Sequence, residues 1–171
     1  GSQRRGTTAM GSNRAKLIGG LSAAVIAIAA PFVASFEGEA LDPYLDVGGV
    51  LTVCYGETHG VENRRHTHEE CKAMLADSLA SHGRDIGACM PAGLPDNVQA
   101  AMLSFGYNAG ARNFCGSTMA KKLMDGDIPG ACAELERWVF VAGKDCRNPA
   151  SNCRGIVERR KAERAICEGR K

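Results

Sequence analysis

Eight cysteines, at positions 54, 71, 89, 115, 132, 146, 153 and 167, are spread through most of a 171-residue chain. An even, scattered set of this density predicts disulfides and an oxidising compartment, so the fold must bring distant segments together in pairs. Zinc is the competing use of such residues. His66, His68 and Cys71 lie close together, and Cys146 lies near Cys153, but no C-x2-C pair exists and the two groups form no paired ligand signature. No metal and no cofactor is expected.

The second constraint is an uncharged run, Leu17 to Phe36, preceded by Arg14 and Lys16. About 20 apolar residues suffice to span a bilayer as a helix. Here Gly19, Gly20, Ser22, Pro31, Ser35 and six alanines dilute the larger apolar side chains. Three readings compete. They are a cleaved signal peptide with Val33-Ala34-Ser35 as its small-residue site, a permanent span with the cations inside, and a buried core helix. Cleavage after Ser35 would leave Glu37 second in the mature chain, a poor place for a rigidly held group. The run is therefore expected to be a weak anchor that leaves the membrane and then packs as a helix. Residues 1–9 read as a tag or disordered arm, with Met10 as the natural start and 37–171 as the catalytic domain.

Most of the remainder reads as helix. Gly48-Gly49 marks a β-hairpin between short strands, with a glycine in the left-handed conformation. A two-residue loop would put Asp46 and Thr52 on opposite faces. A three-residue loop, Gly48 to Val50, pairs them directly and is preferred. Glu57 to Gly60 is a polar loop. Thr67-His68-Glu69-Glu70 is a capping box opening a helix with Cys71, Met74, Leu75, Ser78 and Leu79 on one face. Asp96 is expected to cap a helix ending near Gly110. Ser117 or Thr118 starts a short helix stopped at Gly126, and Pro129 begins another reaching Val139. Gly143 to Asn152 is a loop, and Ile156 to Cys167 a basic final helix. The class is α+β, mostly α. A net charge of +2 is too small to argue for nucleic acid, but suits an anionic bacterial wall.

Chemistry concentrates just after the uncharged run. Cutting a glycosidic bond needs a proton donor on one side and a carboxylate on the other. Glu37 follows Phe36 and an apolar run, a setting that favours a neutral acid, whereas Asp46 lies in a polar hairpin and should stay ionised. Thr52 could hold a water against Asp46. Glu39 and Asp42 qualify equally on composition. A resemblance singles out the first pair: Glu37-Gly38, then Asp46, then Thr52-Val53-Cys54-Tyr55-Gly56 resembles, in order and spacing, the Glu-x8-Asp-x5-Thr triad of phage-type lysozymes, glycoside hydrolase family 24. Leu103 to Gly110 resembles that family's cleft segment. Gly130 to Cys132, Arg137-Trp138 and Arg159 to Cys167 resemble its C-terminal part.

The resemblance implies a lysozyme-like fold, with a small sheet lobe and a helical lobe. It also implies an endolysin hydrolysing the β-1,4 bond between N-acetylmuramic acid and N-acetylglucosamine with inversion. Glu37 would be the acid, Asp46 the base and Thr52 the water-positioning group. Tyr107 and Asn108 would line the sugar cleft, and Arg159 or Arg160 would pair with Glu37. Many family members carry histidine where this chain has Glu57. The uncharged run resembles the signal-arrest-release segment of certain phage endolysins. That implies export to the host periplasm through a transient inner-membrane tether. The substrate would be Gram-negative peptidoglycan and the protein a monomer. Among many possible cysteine pairings, the expected set is Cys146 with Cys153, Cys132 with Cys167, Cys54 with Cys71, and Cys89 with Cys115. Two other functions fit less of the sequence: a non-enzymatic peptidoglycan-binding module and a lytic transglycosylase.

Overall fold

The computed structural model describes residues 20–170. The expected arm at 1–9, Met10, Arg14, Lys16 and the first three residues of the uncharged run lie outside these.

The first helix, α1 (Ala23–Glu37), begins where the Ser22 hydroxyl accepts a bond from the Val25 N–H at 3.3 Å. Val25, Ala29 and Val33, spaced four apart, form its buried stripe. It stops at Gly38, whose φ of +71° lets the chain turn at once into a strand. That strand, β1 (Ala40–Leu45), pairs antiparallel with β2 (Leu51–Cys54).

The hairpin register corrects the expected one. Tyr44 pairs with Thr52 and Leu45 with Leu51, so the loop is Val47 to Gly49 and Asp46 lies opposite Val50. Asp46 causes the two-residue shift. Its Oδ1 accepts from the N–H groups of Gly48 and Val50 at 2.8 and 2.9 Å, closing the loop with its own side chain. Gly49 takes the left-handed conformation, φ +77°. Asp46 and Thr52 still share a face, as diagonal rather than direct neighbours.

Helix α2 (His68–Gly87) opens on the capping box, with Thr67 and Glu70 bonded reciprocally at 3.1 Å. Helix α3 (Asp96–Ala109) is the axis of the molecule. Ala100 through Gly106 are buried without interruption, as expected for a helix wrapped on all sides. A Cβ on Gly106 would meet Ile86 Cγ2 at 2.7 Å, so this glycine permits the close approach of α2 to α3. Asp96 makes no capping bond. It is the first helical residue after Pro95, where its charge favours the helix N-terminus.

Further on are α4 (Ala111–Cys115), α5 (Thr118–Met124) and α6 (Ile128–Glu134). A 3₁₀ turn, Leu135–Arg137, continues α6, which therefore ends short of Val139. The expected loop from Gly143 contains half of a small hairpin, β3 (Phe140–Val141) with β4 (Lys144–Asp145), and a 3₁₀ turn at Pro149–Ser151. Helix α7 (Arg154–Cys167) begins two residues before its expected start.

Four disulfides cross-link these parts. Cys54–Cys71 joins β2 to α2, and Cys89–Cys115 joins the end of α2 to α4. Cys132–Cys167 joins α6 to α7, and Cys146–Cys153 closes the loop before α7. Among the described residues, no helix is long and apolar enough to cross a membrane.

Candidate active site

A cleft of about 370 Å³ opens beside the C-terminal end of α1, lined by Glu37, Tyr55, Glu57, Ser78, His82 and Tyr107 among others. Its construction starts from α7. This helix is basic, yet Arg159, Arg160 and Glu163 are buried on the side facing α3. Such burial requires partners. The fully buried Glu163 carboxylate accepts from Arg160 Nη1 at 2.6 Å, the Ser104 hydroxyl at 2.6 Å and Arg159 Nε at 3.4 Å. Arg160 also stacks over Phe105 at 4.8 Å and donates to the Trp138 carbonyl and to Asn108.

Held this way, Arg159 projects Nη1 onto Glu37 Oε1 at 2.6 Å. The structure thus corrects the expected apolar setting for the Glu37 carboxyl. Phe36 lies under the guanidinium, 5.5 Å from it, and the carboxyl itself meets a cation. Only Oε1 is engaged; Oε2 has no hydrogen-bond partner among the described residues.

Asp46 and Thr52 are on the hairpin that follows, outside the lining of this cleft. Thr52 is buried, and its hydroxyl donates to the Val50 carbonyl at 2.9 Å. The two acids that composition could not separate from Glu37 are occupied elsewhere. Glu39 pairs with His68 at 2.7 Å and Asp42 with Arg65 at 2.6 Å, both near solvent.

Tyr107 and Asn108 line the cleft and also serve its frame. The Tyr107 hydroxyl donates to the Tyr55 carbonyl at 3.3 Å, and Asn108 accepts from Arg160. Burial, reinforced by the negative charges of Glu57 and Glu37, pushes the Tyr107 phenol well above its usual range.

The sequence reading missed one cluster in the cleft wall. Glu57, expected in a polar loop, is 9% exposed and accepts from the Ser78 hydroxyl at 2.7 Å through Oε2. Its Oε1 is enclosed without a partner among the described residues. His82 Nδ1 meets the Ser78 carbonyl at 2.8 Å, and its ring packs 4.9 Å from that of Tyr107. The available signal was Ser78, on the face of α2 already expected to be covered. Among the described residues, no group of three His, Cys, Asp or Glu side chains is arranged to hold a metal.

A sequence model of the phage lysozyme family matches residues 34–163. The chain is 37% identical over 162 residues to the SAR-endolysin of Bacteriophage PS119, covering 90% of this chain and 93% of that one. It is 38% identical over 131 residues to the SAR-endolysin of Escherichia phage Mu, covering 76% and 72%. Among solved structures, a phage P22 lysozyme superimposes with a TM-score of 0.71 at 27% identity, covering 86% of this chain and 97% of that one. A muramidase domain from Asticaccaulis excentricus also gives 0.71, at 22% identity and 85% and 95% coverage, a likeness of fold alone.

Proposed function

Since the chain belongs to the phage lysozyme family, we propose that it is an endolysin that hydrolyses the β-1,4 bond between N-acetylmuramic acid and N-acetylglucosamine in Gram-negative peptidoglycan. The observation that carries this reading is the fixing of Glu37 at a cleft by a buried guanidinium 122 positions away in sequence. An ion pair assembled at that separation holds the carboxyl in one orientation, as proton delivery requires.

In this mechanism Glu37 Oε2 carries a proton to the glycosidic oxygen as the bond breaks. Asp46 accepts a proton from a water, whose oxygen attacks the anomeric carbon from the opposite face. The anomeric configuration therefore inverts. Two backbone N–H groups already hold Asp46 Oδ1, which fixes the direction of the carboxylate. Thr52, on the same hairpin face, orients the water.

Digestion of purified peptidoglycan followed by nuclear magnetic resonance of the first products tests the assignment. New reducing muramic ends should appear as the α-anomer before mutarotation. A β-anomer would overturn inversion. Anhydro ends would mean transglycosylation, and no cleavage of intact peptidoglycan would leave only a binding module.

The N-terminal run acts, in this proposal, as a releasable inner-membrane tether that delivers the monomeric enzyme to the host periplasm. Its glycine and alanine content keeps the transfer free energy per residue small, and an apolar stripe on α1 is available for packing after release. Leucines substituted for the three exposed alanines of the run, Ala23, Ala24 and Ala27, should retain the protein in the membrane fraction and delay lysis. Lysis on the normal schedule would remove release as the controlling step.

A further inference from the structure

Glu57 is a buried acid in the cleft wall for which the proposed reaction has no use. We propose that Glu57 is a positioning residue for the glycan: through Ser78 it clasps the Val53–Glu57 loop to α2 and so sets the cleft wall made by Tyr55 and Tyr107. The inference rests on the muramidase reading and deepens it.

The loop side of the clasp is rigid. Val53 and Glu57 exchange two backbone bonds, at 2.9 and 3.0 Å, with Cys54 at φ +62° and Gly56 at φ +86° between them. The Tyr55 carbonyl within this loop receives the Tyr107 hydroxyl. On the helix side, Ser78 donates its hydroxyl to Glu57 while its carbonyl meets His82 Nδ1. His82 in turn packs against the Tyr107 ring. Tyr107 is therefore held at its hydroxyl by the loop that carries Glu57, and at its ring by His82 of the helix to which Glu57 is clasped. Removing the carboxyl leaves the Cys54–Cys71 disulfide as the loop's covalent tie to α2 but releases the Tyr55–Glu57 end, so the phenol's acceptor is no longer fixed.

The clasp also depends on pH. The groups acting on Glu57 are Ser78, Asp77 and His82 from α2 and His59 from the following loop. Tyr107 of α3 stands close by, with Glu37 of α1 also near its phenol. Burial raises the Glu57 carboxyl above its ordinary value; the Ser78 bond and both histidines offset part of this, and Asp77 adds to it. A carboxyl raised in the assembled wall binds a proton that the loosened wall does not hold. Its contribution is therefore complete below the ordinary carboxylate value and is lost as pH rises through the raised one.

The test is binding of soluble, uncross-linked peptidoglycan strands by titration calorimetry in a Glu37→Gln background, which prevents turnover. Adding Glu57→Ala should weaken the Kd about 3- to 10-fold, the loss of one buried hydrogen bond. Adding Glu57→Gln keeps an acceptor for Ser78 and should bind within about 2-fold of the background at pH near 5. The background should lose affinity as pH rises above the ordinary carboxylate range, and the Gln variant should not. If Glu57→Ala fails to fold, Ser78→Ala removes the same bond and should weaken binding equally.

Unchanged affinity in the Ala variants, no rescue by Gln, or a pH dependence that survives in the Gln variant would overturn the proposal. So would failure of the background to bind strands at all. Reducing-end release by the unmutated enzyme is measured separately, so a failed muramidase reading and a failed clasp give different results.

Discussion

Replacing Glu37 with glutamine should lower peptidoglycan hydrolysis about 10²- to 10⁴-fold, the usual contribution of a positioned proton donor, and leave the fold intact. The amide is nearly isosteric and cannot release a proton to the leaving oxygen. Arg159 would keep Glu163 and Ser104 as partners, so its burial would remain compensated. Turbidity loss of chloroform-treated Gram-negative cells gives the rate, and near-unchanged thermal unfolding shows that chemistry alone was removed. Asp46→Asn should give a loss of similar order, because the amide cannot accept the water's proton. Full clearing by both variants would refute the assignment.

The second large effect is on stability. Glu163→Ala should cost about 3–5 kcal/mol, the range for breaking a buried ion pair from one side. Glu163 is the shared partner of two guanidiniums with almost no exposure, and burial already pulls Arg160 below its ordinary value while Glu163 opposes that shift. Without the carboxylate both cations stay in the core with too little to balance them. Denaturant unfolding measures the loss, and a change below about 1 kcal/mol would mean that the arginines escape to water. Activity should fall as well, because Arg159 is the group that holds Glu37.

Local features were the most readable in the sequence. The Thr67 capping box, the helix stop at Gly126 and the disulfide-rich character each depend on a few neighbouring residues, and the structure has all three. The hairpin was readable as an element but not in register. The competing influence was the Asp46 side chain, which binds two N–H groups of its own loop and moves the turn by one position, so that Thr52 pairs two residues away from the expected partner. A residue picked out for chemistry was also shaping the backbone, and counting strand positions could not reveal that.

Long-range partners were legible only as alternatives. Arg159 and Arg160 look alike in a basic helix. Packing against α3 decides that one faces Glu37 and the other Asn108. Glu57 was harder still. A single glutamate among Thr58, His59 and Gly60 looks solvated, and its burial follows from a loop that folds back onto α2. The five-residue α4 left no periodic trace, because it is shorter than two helical turns.

The position of Glu37 as the last residue of α1 has a kinetic meaning. The same helix brings Val25 and Val33 into the interior, where each valine contributes roughly 1.5–3 kcal/mol. If Glu37 is the proton donor as proposed, a chain lacking this helix would lose the donor and part of its folding energy together. On that reading, arming of the site and completion of the core would be one event, and a loosely assembled protein would not nick the wall ahead of time.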